Sequence, residues 1–241
     1  MTATPATTIR EIVATDYRTA AVFERHGLDY CCNGCRTVEQ GCRDAGADQG
    51  ALLREIDGVL RTPAADAPRF ASWDVPALIT HLVSKHHAYV RAAMPALLDH
   101  TRTIANVHGE RHTELAHIAR LFERVAREMT DHMAKEEQVL FPFITALDAA
   151  AREGRPAPMA PFGAVTNPIR LMESEHLFVG DALAEMRQLT GGFRPPDDAC
   201  ATYRVCLQEL EAFEADLHAH VHLENNILFP RAAALETGVR S

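Results

Sequence analysis

Two stretches of this chain carry the residue types of a metal site at matching spacing. His132-Met133-Ala134-Lys135-Glu136-Glu137-Gln138-Val139-Leu140-Phe141-Pro142 recurs 88 positions later as His220-Val221-His222-Leu223-Glu224-Asn225-Asn226-Ile227-Leu228-Phe229-Pro230. In each, a His is followed four positions on by a Glu, and that Glu four positions on by Leu-Phe-Pro. On an α-helix, residues i and i+4 are offset by about 40° in rotation and about 6 Å in rise. His132 and Glu136 therefore share one helix face, and so do His220 and Glu224. A neutral imidazole beside a carboxylate is a ligand set for iron, manganese or zinc.

The elements that must hold these pairs are legible from a wider echo. His87 lies 45 residues before His132 and His176 lies 44 before His220, with Leu82 and Val90 matching Leu171 and Val179 at the same offsets. The reading is a helical hairpin used twice, each copy giving one His from its first helix and a His-x3-Glu from its second. Two hairpins make a four-helix bundle with the ligands converging inside. Each motif runs straight into an apolar Leu-Phe-Pro, so its His and Glu belong in a core. There, unpartnered, they would cost several kcal/mol or lose their charge. A metal resolves that cost. Ferritin-type bundles use Glu-x-x-His with carboxylates in excess, whereas histidine dominates here. Two carboxylates bridging two ions, each ion keeping terminal imidazoles, favour iron; zinc prefers four ligands. His86, next to His87, is the rival ligand, because one register slip exchanges them.

Along the chain, residues 1–62 read as a small helical unit. Thr8-Ile9-Arg10-Glu11 and Thr37-Val38-Glu39-Gln40 have the capping-box pattern. A helix over Asp16 to His26 stops at Gly27, and another runs from Gln49 to Leu60. Arg61 to Pro68 reads as a linker, with two prolines and no apolar stripe. The second domain, 72–238, should open with Asp74 as N-cap and Pro76 in the first turn. Pro95 is expected to break or kink its first helix, and Pro142 to bend the second, which spans Arg111 to Ala150. Asn167-Pro168 starts the third and Pro195-Pro196-Asp197-Asp198 opens the fourth. No strand is expected: the fold class is all-α.

A net charge of −9 over 241 residues argues against nucleic acid or an anionic membrane as partner. No apolar run reaches the length of a membrane span and no signal peptide is seen, so the expected place is the cytoplasm. Four of the six cysteines crowd into Cys31, Cys32, Cys35 and Cys42. The cluster could pack inertly. It could hold zinc or an iron–sulfur cluster through Cys32, Cys35 and Cys42. It could be redox-active, through a thiolate favoured by a helix N-terminus or by Arg36. The last is the preferred reading, with Cys31 or Cys32 as catalytic candidates that face the metal pocket.

The segments Tyr30-Cys31-Cys32, Glu136 to Pro142, Met172-Glu173-Ser174-Glu175-His176 and Leu223 to Pro230 resemble those of the repair-of-iron-centres family, of the YtfE/ScdA type. The likeness covers nearly the whole chain. It implies a ScdA-type N-terminal domain followed by a hemerythrin-like four-helix bundle, and two non-haem, carboxylate-bridged iron ions. By matched position the ligands would be His87, His108, His132, Glu136, His176, His220 and Glu224, His108 on this resemblance alone. Asn33-Gly34-Cys35 departs from the family, which more often has Gly-Gly and no third cysteine. The implied function is support of iron–sulfur cluster repair after nitrosative or oxidative stress, as iron donor or through NO chemistry, with damaged or apo iron–sulfur proteins as partners. The alternatives are a hemerythrin-like O2- or NO-binding module, a nitric oxide reductase, and a scaffold stapled by its metal. The electron donor and the oligomeric state, a dimer among the options, stay open.

Overall fold

Local signals in the N-terminal third place its helices. Thr8 and Glu11 form a capping box that starts α1 (Ile9–Thr15). After a single 3-10 turn, Tyr17–Thr19, comes α2 (Ala20–Arg25), and Gly27 at φ 71° closes it in the left-handed region. Thr37 and Gln40 form a second box ahead of α3 (Val38–Ala45), and Asp48 caps α4 (Gln49–Arg61). The inward faces meet in one core around Ile9, Phe23, Val38, Leu52 and Ile56, which also takes in Val221 from the far end of the chain.

The computed structural model describes residues 2–62 and 70–239, the last by its backbone alone. The linker expected over Arg61 to Pro68 falls, from residue 63 on, outside the described residues. No strand occurs among the described residues, where a lone bridge joins Thr8 to Thr37.

The second region is the expected bundle of α6 (Ala88–His108), α7 (Glu114–Lys135), α9 (Thr166–Leu189) and α10 (Ala201–Leu223). Shorter helices α5 (Val75–His81), α8 (Phe141–Arg152) and α11 (Phe229–Val239) extend one end of it. Asp74 caps α5 through the Ala77 N–H, with Pro76 in the first turn as expected. Two apolar clusters fill the interior. One gathers Val90, Phe122, Met129, Val179, Phe213 and Leu217. The other gathers Leu82, Leu140, Phe141, Met172, Leu228 and Phe229. His87, the His132 and Glu136 pair, His176, and the His220 and Glu224 pair each fall in sequence between members of the two, so the polar layer lies between apolar ones.

Three departures from the expected helices bear on this layer. Pro95 neither breaks nor splits α6, which runs through it. Pro95 is exposed, as is Arg91, whose carbonyl loses the helical bond, so water can satisfy that group. The second helix is not simply bent at Pro142, and the fourth departs from a regular helix in the same way. Each opens into a π-helical turn that begins at the glutamate, Glu136–Leu140 and Glu224–Leu228. In these turns the Phe141 N–H bonds to the Glu136 carbonyl, and the Phe229 N–H to that of Glu224. A third π turn, Leu82–His87, ends on a ligand candidate. Such turns cluster at functional sites because the extra residue re-aims side chains. Finally, α9 starts at Thr166, a residue earlier than the Asn167-Pro168 signal, and α10 starts at Ala201, after the prolines.

The two regions meet at α10. His222 is fully buried there, its ring 5.4 Å from that of Tyr17 and 5.9 Å from that of Tyr30, and its Nδ1 is 3.1 Å from the Asn226 amide. Burial pushes its pKa down to about 3. A histidine whose folded value lies below its unfolded one, about 6.5, binds its proton better in the unfolded chain. Stability therefore falls as pH drops from about 6.5 towards 3. In metal-free protein, His222→Gln should flatten this acid slope, by about 1.4 kcal/mol per pH unit relative to wild type. Urea unfolding at a series of pH values reads the difference; parallel curves would refute it.

Candidate metal centre

The four helices bring six of the predicted side chains into the buried layer. One ligand atom each of His87, Glu136, His220 and Glu224 lies within 4.8 Å of the others, and the same holds for His132, Glu136, His176 and Glu224. The two quartets share both glutamates. Glu136 Oε2 stands 3.3 Å from Nε2 of both His87 and His132. Glu224 divides its oxygens, Oε1 at 2.9 Å from His220 Nε2 and Oε2 at 3.1 Å from His176 Nε2. His87 joins the cluster; its rival His86 turns away and meets Asp216 at 3.0 Å.

His108 is a correction. It sits at the opposite end of α6 from His87, twenty-one residues on, about 31 Å at the helical rise per residue. Its ring packs against Tyr203 at 5.3 Å and lies 6.4 Å from that of His112. The geometry does not bring it to the centre.

Three of the four ligand-bearing segments also carry, next to a ligand, a polar residue that orients a histidine of another helix. Glu137 accepts from His87 Nδ1 at 2.6 Å, and Glu175 accepts from His132 Nδ1 at 2.9 Å. Asn225 Oδ1 meets His176 Nδ1 at 3.0 Å while its amide donates to the Cys31 carbonyl. Arg91 and Lys135 bond Glu137 and Glu175 in turn. Sequence reasoning assigned no role to Glu137, Glu175 or Asn225. The signal was adjacency: one residue along a helix is about 100° round it, enough to turn from the interior towards the next helix. His220 is the exception, its Nδ1 unpartnered and its ring stacked on His86 at 5.7 Å. The repeated Leu-Phe-Pro also finds its use. Phe141 stacks on His87 at 5.8 Å and Phe229 on His176 at 6.2 Å, an apolar lid over a ligand in each hairpin.

These residues fit a cation. With Nδ1–H given to Glu175 and Asn225, the Nε2 lone pairs of neutral His132 and His176 face each other at 3.1 Å. Both oxygens of Glu136 and Oε2 of Glu224 are buried with no hydrogen-bond donor. Groups so arranged are stable only around positive charge. The titration tendencies agree. Burial opposes charge on His132, but Glu136, Glu175 and Glu224 outweigh it and lift the group to about 10. His87 is raised for like reasons, against its burial. Burial and Glu224 push Glu136 up, yet the imidazoles win and hold it low; Glu224 is held well below the usual carboxylate range by His220 and His176 against burial. A histidine-rich set with carboxylates suits non-haem iron.

Outer partners of metal ligands typically matter 10- to 100-fold in affinity. Asn225→Ala is expected to speed iron loss to a competing chelator by about that factor while leaving secondary structure intact. An unchanged release rate would deny Asn225 its orienting role.

The surroundings of the cysteines lack the cation that the thiolate reading expected from Arg36. Cys31 is pushed well up, first by its bond to the Cys32 thiol and then by burial. Arg36 is engaged with Asp44 at 2.8 Å. Cys35 is exposed and Cys42 is buried in the N-terminal core, and among the described residues they join no metal-binding group. Cys31 and Cys32 border a cleft between the N-terminal unit and the bundle, which Gly180 and His218 also line. What reaches the buried centre from this loop is the Cys31 carbonyl, through Asn225.

Comparison with known proteins agrees with the geometry. Residues 78–232 match the hemerythrin HHE cation binding domain, and residues 5–59 match ScdA_N, a domain of unknown function (DUF542). The iron–sulfur cluster repair protein YtfE of Yersinia pestis (strain Pestoides F) is 34% identical over 215 residues, 89% of this chain and 91% of its own. That of Yersinia pseudotuberculosis serotype IB (strain PB1/+) is 34% identical over 211 residues, 88% of this chain and 89% of its own.

Proposed function

The chain belongs to the YtfE family of iron–sulfur cluster repair proteins, and on that premise we propose that it repairs such clusters by donating iron held in its bundle. Two iron ions would be held there, one by His87 and His220 and the other by His132 and His176, with Glu136 and Glu224 common to both groups. The observation that carries this reading is the sharing of both glutamates between two buried histidine pairs. When bound, the iron pair supplies an open position for NO or O2 and an ion held by few terminal ligands.

The chain's own groups supply the rest. Glu137, Glu175 and Asn225 hold three imidazoles with Nε2 turned inward. Phe141 and Phe229 keep water off two of them. The N-terminal unit, 1–62, works with the bundle, 72–238, through the contact of Asn225 and Asn226 with the Tyr30 and Cys31 carbonyls. Six free cysteines fit a reducing compartment, the cytoplasm, and no helix of the described residues is long and apolar enough to cross a membrane.

The test is anaerobic mixing of the ferrous protein with an apo iron–sulfur protein, sulfide and a reductant. Cluster absorption should grow faster than with a chelated ferrous salt of equal concentration. No gain over the salt would remove the donor role, and steady conversion of NO to N2O in its place would make the chain a reductase.

A further inference from the structure

We propose that Asp29, Cys31 and Cys32 form a separate binding site for one thiophilic divalent cation, on the wall of the cleft between the N-terminal unit and the bundle. Their sulfur and carboxylate atoms lie within 4.8 Å of one another. The spacing is that of a chelate. Cys31 Sγ and Cys32 Sγ stand 3.8 Å apart, and a tetrahedral ion with metal–sulfur bonds of about 2.3 Å spans sulfurs about 3.8 Å apart. A disulfide would need them at about 2.05 Å. Asp29 Oδ1 is 3.3 Å from the Cys31 sulfur, near the oxygen–sulfur edge of the same tetrahedron. That oxygen is held in place by the backbone N–H groups of Cys31 and Cys32, at 3.0 and 2.9 Å.

The cleft suits a cation that comes and goes. Its volume is about 680 Å3, and Glu24, Asp29, Asp181, Glu211 and Glu214 outnumber Arg25, Arg187 and His218 along it. Across from the loop, Gly180 offers no side chain; a Cβ there would sit 3.8 Å from Cys32 Sγ. Two sulfurs and one oxygen leave the fourth tetrahedral position to water or to an acceptor's ligand, the open arrangement of an exchanging site rather than a closed structural one. Binding releases the two thiol protons to water, and the cation offsets the burial that disfavours a Cys31 thiolate. Thiolates select zinc and iron over magnesium and calcium. Naming ferrous iron as the natural occupant rests on the proposed repair role; the site itself does not.

Cobalt(II) added to the full-length, reduced, iron-loaded protein should give a thiolate-to-metal charge-transfer band saturating at one equivalent. Ions held only by imidazole and carboxylate give no such band, so the readout is specific. Cys31→Ser/Cys32→Ser should abolish it with bundle iron unchanged. Asp29→Asn, at an exposed position, should weaken cobalt binding at least tenfold, and Cys35→Ser/Cys200→Ser should leave it intact. Absence of the band in the parent protein, or its survival in the Cys31→Ser/Cys32→Ser variant, overturns the site. Ferrous iron in large excess should displace the cobalt, since iron binds a given site more weakly. Failure to compete overturns iron as the occupant, while cluster assembly tests the repair reading independently.

Discussion

Replacing Glu136 and Glu224 together by glutamine should leave the bundle folded and empty of iron, with affinity at least about a thousandfold lower. The glutamates are the only groups common to both quartets, so their loss disables both positions at once. Glutamine keeps the volume, and its amide can bond the facing imidazoles, so packing against Leu140 and Leu228 should survive. The metal-free parent, by contrast, buries two carboxylates close enough that each disfavours charge on the other. A thousandfold excess of free metal over its dissociation constant stabilises a native state by about 4 kcal/mol. With two ions removed, the parent protein should therefore lose about 8 kcal/mol on chelation, and the double variant nothing. Iron analysis after gel filtration, with melts in the presence and absence of chelator, decides it. A variant that keeps its iron would remove the glutamates from the centre.

Helix faces were legible where the chain repeats itself. His132, Glu136, His220 and Glu224 could be placed because an i, i+4 pair has one geometry on a helix, and the second copy made coincidence implausible. His87 and His176 followed from the shared hairpin spacing. His108 failed because likeness by position carries no distance: a residue twenty-one positions along an unbroken helix cannot return to the same layer. The π turns were hidden because Leu-Phe-Pro signals only that the regular ladder must fail near the proline, not that the glutamate's carbonyl would absorb the failure. Pro95 misled for a related reason. Its cost depends on whether the orphaned carbonyl faces water, and a lone proline does not say.

The orienting residues were hidden for another reason. Glu137, Glu175 and Asn225 each bond a histidine on another helix, so their role exists only after the bundle forms. The same cross-bracing ties the ligand layer to the N-terminal unit. Asn225 bonds His176 on one side and the Cys31 carbonyl on the other, so the cysteine loop and the centre are mechanically joined though their ligand groups are separate.

Iron affinity should climb steeply with pH, while the stability of the iron-free protein moves the other way at the alkaline end. Without metal, a proton on His132 can occupy the gap to His176 Nε2, and against its burial Glu136, Glu175 and Glu224 lift His132 to about 10. That raised value stabilises the iron-free fold fully below the unfolded value of about 6.5, and the contribution is lost as pH rises through about 10. Glu136 and Glu224 are depressed, so their contribution is present above about 4.5 and lost as pH falls through their lowered values. Iron must displace the His132 proton, and that of His87, which is also raised. Each displaced proton makes affinity rise about tenfold per pH unit while the pH is below the group's folded value. Near neutrality the expected gain is therefore about 10- to 100-fold per unit, flattening as the pH approaches 10. Competition against a chelator of known proton affinity, run from pH 6 upward beside urea unfolding of the iron-free protein, measures both trends. Affinity independent of pH would mean that the imidazoles enter the bound state already neutral, and that the proton does not hold the metal's place.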